Sequence, residues 1–320
     1  MINLEPRNLI KFGNSSYVIS IPKDWVEKNK LKKGDSVFIE QNGNEELIIF
    51  PQIKDYKEPD KEAAIDITNK DIELIKRQII SSYLNNYKLI IIRGKDLPNR
   101  KGEIKEIIQG LVALEIIEES PDELVVKDFL NIKDVNVHIL LRKVDNLTRS
   151  MMYDLRNYEK EKDMDDIVKR DNEINKLLFL IIRALKHSFD NPITLKSLNL
   201  PEHNQLLILW DLSMTIEKIA DEIKRIARRF KKLKCDNKIF FELLDVSNRT
   251  ERFYTDTLKS YYNNDKNLAL SLSIKKKEIA SYCNLLSEKY WKIKGVPEIL
   301  ENYKDITASI HNMARKIYQN

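Results

Sequence analysis

The sequence predicts a multidomain protein with a β-rich N-terminal segment, a small α/β middle segment and an all-α C-terminal segment. Residues 1–52 alternate apolar and polar side chains as short strands do, whereas residues 146–320 repeat apolar residues at helical spacing almost throughout. Between them, residues 63–145 alternate helical stretches with short apolar runs. A length of 320 residues is consistent with two or three domains.

The N-terminal segment is predicted to contain short strands around one helical turn. We expect strands at 16–21, 36–40 and 46–50, a helical turn at 22–26 and a hairpin turn at 41–44. Residues 50–62 are polar, contain two prolines and predict a linker. So few strands cannot close a core alone, and we therefore expect a second copy of the chain to cover their edges.

The middle segment predicts an α/β unit. Helices are predicted at 69–86 and 101–111, and strands at 88–92, 113–118, 123–127 and 134–141. Its glycines, Gly94, Gly102 and Gly110, are spaced too widely for a phosphate-binding loop. The segment shows no catalytic cluster.

The C-terminal segment predicts two three-helix bundles, at about 146–234 and 237–320. The six expected helices cover 147–160, 163–188, 203–234, 237–262, 266–292 and 297–318. The segment also repeats itself, because the stretch from Glu217 to Asp221 matches the stretch from Glu301 to Asp305 at an offset of 84 residues.

Composition limits the function classes. The 55 basic and 50 acidic residues give a net charge of +5, and the first 55 residues hold eight of each sign. DNA binding therefore requires positive charge gathered on one face. The isolated Cys235 and Cys283, the missing signal peptide and a longest apolar run of only six residues, 177–182, predict a cytoplasmic protein without membrane insertion. No nucleophile–base pair is visible, and we expect no enzyme activity.

The N-terminal segment resembles the AbrB-type swapped-hairpin family. The resemblance is carried in order by Gly13-Asn14-Ser15, Ile21-Pro22-Lys23 and the stretch from Leu31 to Gly34-Asp35. It implies an interleaved homodimer, or a higher assembly, that presents basic strand and loop residues to double-stranded DNA. The residues expected to contact DNA are Arg7, Lys11, Asn14, Ser15, Ser16 and Lys23.

The helical segment resembles the PhoU family of phosphate-signalling regulators, in residues 168–185 and 215–227. The whole chain is similar to an archaeal-type AbrB–PhoU fusion. Carboxylates at i and i+4 share a helix face, where they can ligate a cation or simply be solvated. The resemblance implies divalent or iron-type metal ions held by Asp171, Glu217, Asp221, Glu301 and Asp305. The second pair is less favoured, because three lysines at 275–277 occupy the stretch that corresponds to Asp171.

The run KRIARRFKKLK, residues 224–234, holds seven basic residues and no acidic one. It suits an anionic partner such as a DNA backbone or phosphate. More often, such a run is the solvated end of a long helix, where cations interact favourably with the helix dipole, and an anionic partner is the secondary interpretation.

Three functions follow as hypotheses. The first is a DNA-binding transcriptional regulator of phosphate uptake, whose PhoU-like bundles sense the phosphate state through a metal or a partner protein. The second is an adaptor that docks on a phosphate transporter ATPase subunit or a phosphate-signalling protein, with the AbrB-like domain serving only to dimerise. The third is an antitoxin, which requires a toxin-neutralising tail unlike a structured extension of about 260 residues.

Overall fold

The computed structural model describes residues 5–41, 47–51, 61–157, 165–190, 195, 198 and 203–319. The chain divides into two compact units, residues 1–59 and 60–320, which are described separately below. A small strand-containing region is followed by a mostly helical region, as predicted. The finer division of the second unit into an α/β domain and two helical bundles stays a prediction.

The first unit consists of two hairpins and one short helix. Strand β1 (Ile10–Phe12) pairs antiparallel with β2 (Ser16–Val18), and β3 (Phe38–Gln41) pairs antiparallel with β4 (Leu47–Phe50). Helix α1 (Lys23–Lys28) begins after Pro22, where a missing N–H costs nothing. These elements agree with the predicted strands and helical turn, although β1 is an additional strand. Gln41, the first residue of the turn predicted at 41–44, belongs to β3, whereas the rest of that turn and most of the predicted linker lie outside the described residues.

The second unit begins with a four-stranded sheet. Its elements are β5 (Lys61–Asp66), α2 (Ile72–Leu84), β6 (Tyr87–Arg93), α3 (Leu97–Gln109), β7 (Leu114–Glu119) and β8 (Glu123–Asp128). The strand order is β5-β6-β8-β7, with β5 parallel to β6 and the other pairs antiparallel. The start of β5 falls inside the predicted linker, so the linker prediction is too long. Its pairing to β6, and not its own weakly apolar sequence, makes this segment a strand.

The strand predicted at 134–141 is wrong. This stretch instead holds the end of a 3₁₀ turn (Ile132–Asp134) and the beginning of helix α4 (Val137–Arg156). The side chain of Asn136 accepts a hydrogen bond from the Ile139 N–H at 3.0 Å and caps this helix. Val137 and Leu141 are buried one helical turn apart, whereas Ile139 between them is exposed.

The remaining helices are α5 (Asp165–Asp190), α6 (His203–Phe230), α7 (Asn237–Tyr262), α8 (Lys266–Leu272), α9 (Lys275–Lys289) and α10 (Val296–Gln319). The single helix predicted at 266–292 is therefore two. The hydroxyls of Ser271 and Ser273 donate to the carbonyls of Leu268 and Leu270, at 2.7 and 2.6 Å. Such local side-chain bonds compete with helical ones, which is consistent with a break at this point.

One buried apolar cluster runs through helices α4 to α10, and a second fills the α/β part. A fully buried ion pair connects the two parts. The guanidinium of Arg183, on α5, donates two hydrogen bonds to the Asp128 carboxylate at 3.0 and 2.6 Å, and Lys88 Nζ lies 2.7 Å from the same carboxylate. Planar two-pronged pairing of this kind fixes both position and orientation, so it holds α5 against β8.

Candidate functional site

Four of the predicted DNA-contacting residues lie on the first hairpin. Lys11 is on β1 opposite Tyr17, and Asn14 and Ser15 form the turn together with Gly13, whose φ of +71° favours glycine. The Ser16 hydroxyl donates to the carbonyl of Phe12 at 2.7 Å, which closes the hairpin from within. Lys11, Asn14 and Ser15 are all exposed, so their side chains are accessible to a ligand.

Arg7 and Lys23 lie outside this hairpin, and each has an acidic neighbour. Arg7 Nη2 is 2.5 Å from Glu5 Oε2, and Lys23 Nζ is 3.5 Å from Glu27 Oε1. The Lys23 side chain is nevertheless 86% exposed. Pairs this accessible contribute little and separate easily when a phosphate competes for the cation.

A second group of exposed cations lies at the end of α1 and in the following turn. None of them is among the residues that the sequence predicted to contact DNA. The turn is shaped by Asp35, whose carboxylate accepts the Lys32 N–H at 2.7 Å. The sequence feature that could have identified these cations is the run KNKLKKGD, in which half of the residues are lysines. All four are exposed: Lys28, Lys30, Lys32 and Lys33.

The first unit has no core of its own within the part of it that the structure describes. None of its side chains at 5–39, 41 or 47–51 is buried. Its largest apolar side chains are mostly in solvent: Phe12 is 69% exposed, Leu9 68%, Leu47 67%, Tyr17 66% and Ile39 62%. So many exposed apolar side chains on a small unit indicate that another chain covers at least part of them.

The predicted metal ligands of the first bundle do come together, but around a lysine. Asp171 on α5 is buried, and Asp221 on α6 lies across from it. Lys224 Nζ lies 2.6 Å from Asp171 Oδ2 and 2.6 Å from Asp221 Oδ1. The ammonium group thus occupies the position between the two carboxylates.

Electrostatics within this carboxylate cluster follow from burial and crowding. Burial raises the pKa of Glu217, and the nearby charges of Asp221 and Asp171 raise it further. For Lys224, burial lowers the pKa, but hydrogen bonds to Asp171 and Asp221 outweigh burial and leave its pKa above the ordinary value. The cluster therefore holds its ammonium firmly and resists a full complement of negative charge.

This arrangement fits an ammonium ion better than a metal ion. Among the described residues, no group of three or more His, Cys, Asp or Glu side chains is arranged to hold a metal. Metal ligation by Asp171, Glu217 and Asp221 stays a prediction, and it requires Lys224 to move away. The sequence alone does not reveal Lys224, because its partner Asp171 is 53 residues away along the chain.

The second predicted pair, Glu301 and Asp305, is exposed on α10. Lys304 Nζ lies 2.5 Å from Glu301 Oε2. Lys275, from the basic stretch that the sequence singled out, lies 3.2 Å from Asp256. Cations therefore accompany the carboxylates here as well.

Comparison with known proteins bears on the first unit. Residues 10–57 match the family model described as antidote-toxin recognition MazE, bacterial antitoxin. This match supports the AbrB-like assignment of the N-terminal part, and it indicates a DNA-binding or antitoxin-type regulator. Neither the curated proteins nor the solved structures gave a match to the chain.

None of the helices within the described ranges has both the length and the apolar composition to cross a membrane.

Proposed function

We propose that the chain is a homodimeric, DNA-binding transcriptional regulator. The observation that carries the proposal is a first unit that matches an AbrB/MazE-like family yet buries none of its described side chains. A second copy supplies the missing cover, and pairing two hairpins doubles the number of cations presented to a duplex. Arg7, Lys11 and Lys23 are assigned to phosphates or base edges, and Asn14 and Ser15 to hydrogen bonds from the turn.

The Ser16 hydroxyl is assigned a different role. Because it bonds to the Phe12 carbonyl, it supports the turn that presents Asn14 and Ser15. Its contribution to DNA affinity is then indirect, through the shape of the hairpin.

The regulated process is proposed to be phosphate uptake. This part of the proposal rests on the resemblance of residues 168–185 and 215–227 to the PhoU family. In this scheme the helices of the second unit respond to the phosphate state, through a metal that displaces Lys224 or through a partner protein. A signal of either kind changes DNA affinity only if it binds two conformations of the dimer differently.

A salt series tests the DNA-binding proposal. The full chain is titrated onto labelled promoter fragments and random duplex DNA, alongside Lys11→Gln with Lys23→Gln, and a control with Lys76→Gln and Lys133→Gln. Both control lysines are exposed in the second unit. We expect the first variant alone to bind every duplex more weakly, with a salt dependence flatter by about one unit of slope for each phosphate that is no longer neutralised.

Equal behaviour of the two variants would contradict DNA binding by the first unit. Absence of any promoter preference in the unmodified chain would favour the adaptor. That function predicts capture of a phosphate transporter ATPase subunit, together with dimerisation and weak, unselective DNA binding.

The family description favours one further candidate, an antitoxin. That function requires a segment that wraps around a toxin, whereas residues 60–320 form a compact unit with extensive cores. Co-expression with a toxin from a neighbouring gene tests it, since an antitoxin restores growth and a phosphate regulator does not.

A further inference from the structure

Two basic stretches that are far apart in the sequence meet at one end of the second unit. The residues after α6 and the α9–α10 connection together line a shallow cavity. Leu233 lies against Gly295 here: a Cβ on that glycine would be 3.4 Å from Leu233 Cδ1. Lys232, Lys234 and Lys294 line this cavity, and Arg228, Trp291 and Lys292 are close to lining residues in the sequence. We call these six residues together the basic end.

The cations of the basic end are not neutralised. All five are exposed, and no carboxylate within the described ranges forms an ion pair with any of them. Their neighbours are engaged elsewhere: Arg229 donates to the Glu298 carbonyl at 2.7 Å, and Lys289 pairs with Glu242 at 2.9 Å. Glu298 is the acidic residue that lines the cavity, and its carboxylate accepts the Gly295 N–H at 3.1 Å.

Several other surface cations of the second unit are paired with carboxylates. Lys105 pairs with Glu119 at 2.8 Å, Lys143 with Glu173 at 2.6 Å and Arg156 with Glu251 at 3.0 Å. A solvated helix end alone does not explain why a second basic stretch, 60 residues downstream, joins it.

Trp291 adds an aromatic surface to this charge. Its side chain is 68% exposed, and Lys292 Nζ lies 5.1 Å from the centre of its ring. An exposed indole presents a flat apolar face to which a binding partner can pack. A nucleic-acid strand uses both features, because phosphates pair with the lysines and an unpaired base stacks on the indole.

We propose that the basic end binds the phosphate backbone of nucleic acid, with Trp291 stacking on an unpaired base. This site is separate from the hairpin of the first unit and does not read base sequence. It gives the second unit an affinity of its own for single strands, such as those exposed when a promoter opens.

The test uses the full chain and a labelled random single strand. Its length is about 20 nucleotides, enough for one or two typical single-strand binding sites. The variant of the basic end, called the patch variant, carries four substitutions: Lys232→Gln, Lys234→Gln, Lys292→Gln and Lys294→Gln. Its matched control carries Gln in place of four exposed lysines elsewhere in the second unit: Lys76, Lys133, Lys218 and Lys266. Both variants remove the same charge, so a difference between them reports position.

We expect the patch variant to bind roughly 10- to 1,000-fold more weakly, with a salt slope smaller by about two to three units, whereas the control stays within about threefold of the parent. Trp291→Ala is expected to weaken single-strand binding about tenfold, and duplex binding much less. Equal weakening in patch and control variants would overturn the proposal. So would competition by polyglutamate at charge concentrations equal to those of DNA, which would assign the surface to an acidic partner.

Comparing variants of the two sites on both kinds of DNA separates this inference from DNA binding by the hairpin. Lys11→Gln with Lys23→Gln is expected to weaken duplex binding and to leave single-strand binding intact. The patch variant is expected to weaken single-strand binding and to leave promoter preference intact. If the hairpin variant alone abolished single-strand binding, the basic end would have no affinity of its own and the inference would be wrong.

Discussion

The two units of this chain differ in what their interiors contain. The second unit buries two large apolar clusters and an ion pair between Arg183 and Asp128. The first unit instead exposes Phe12, Ile39 and Leu47 on its two short hairpins. The contrast indicates two different sources of stability in the same chain. The second unit obtains its stability from its own packing, and in the proposed dimer the first unit obtains it from another copy.

The largest expected effect concerns the buried pair in the second unit. Asp128→Asn leaves Arg183 buried without its compensating charge. We expect a decrease of about 3–5 kcal/mol in the free energy of unfolding, measured by denaturant titration. Asp128→Leu with Arg183→Met is the matched test, because removing both charges is expected to recover most of that stability. A double variant as unstable as Asp128→Asn would contradict this view of the pair.

The corresponding substitution in the first unit is expected to weaken the association of two copies of the chain. Phe12→Asp places a charge on the surface assigned to the second copy, and we expect about a 100-fold rise in the dimer dissociation constant, equivalent to about 3 kcal/mol. Sedimentation equilibrium measures it. Leu285→Asp is the control, since Leu285 is 64% exposed on α9, and it is expected to leave association unchanged. An equal effect of both variants would place the dimer interface elsewhere.

A smaller effect is expected at the carboxylate cluster. Within the described ranges, Lys224→Met leaves Asp171 with a single hydrogen bond, from Asn175 at 3.4 Å. We expect stability to fall by about 2 kcal/mol in the presence of a chelator. Divalent manganese should restore part of that stability if Asp171, Glu217 and Asp221 can ligate a metal once the ammonium is removed.

Two further variants separate metal binding from a general salt effect. Adding Glu217→Ala and Asp221→Ala to Lys224→Met should abolish the manganese response while leaving helicity unchanged. Introduced into the parent chain, Glu217→Ala with Asp221→Ala should lower the divalent metal content of the purified protein if Glu217 and Asp221 hold a metal in the parent. Equal metal content with and without them would remove the metal prediction.

The smallest effect has a defined pH dependence. Burial and the neighbouring carboxylates raise the Glu217 pKa in the folded state, so ionised Glu217 opposes folding, and that cost disappears below its unfolded pKa. Glu217→Gln is therefore expected to raise the melting temperature at pH 7 and to have almost no effect near pH 4. A gain that persisted unchanged at low pH would show that the cause is not ionisation.

Particular residues show why sequence predicts some of this architecture and misses other parts. The run KLIII is apolar enough to define β6 by itself, and helices α5 to α7 carry unbroken helical periodicity. Val135, Val137, Ile139 and Leu141 alternate as in a strand, but the cap at Asn136 and the continuing helix select the helical alternative. Strand β5 escapes prediction at its start because its order comes from pairing with β6.

The candidate sites divide in the same way. The hairpin residues follow a local motif, so Lys11, Asn14 and Ser15 can be located from sequence. Lys224 and Lys294 cannot, because their importance comes from groups on other elements. For Lys224 that group is Asp171, and for Lys294 it is the residues after α6.

Amide hydrogen exchange of the unmodified full chain at two protein concentrations, one above and one below the dimer dissociation constant, tests the central claim most directly. We expect protection of the β1–β4 amides to rise with concentration, while protection of the second-unit core does not change. Equal protection of β1–β4 at a concentration where the chain sediments as a monomer would contradict the claim, because the first unit would then be stable alone.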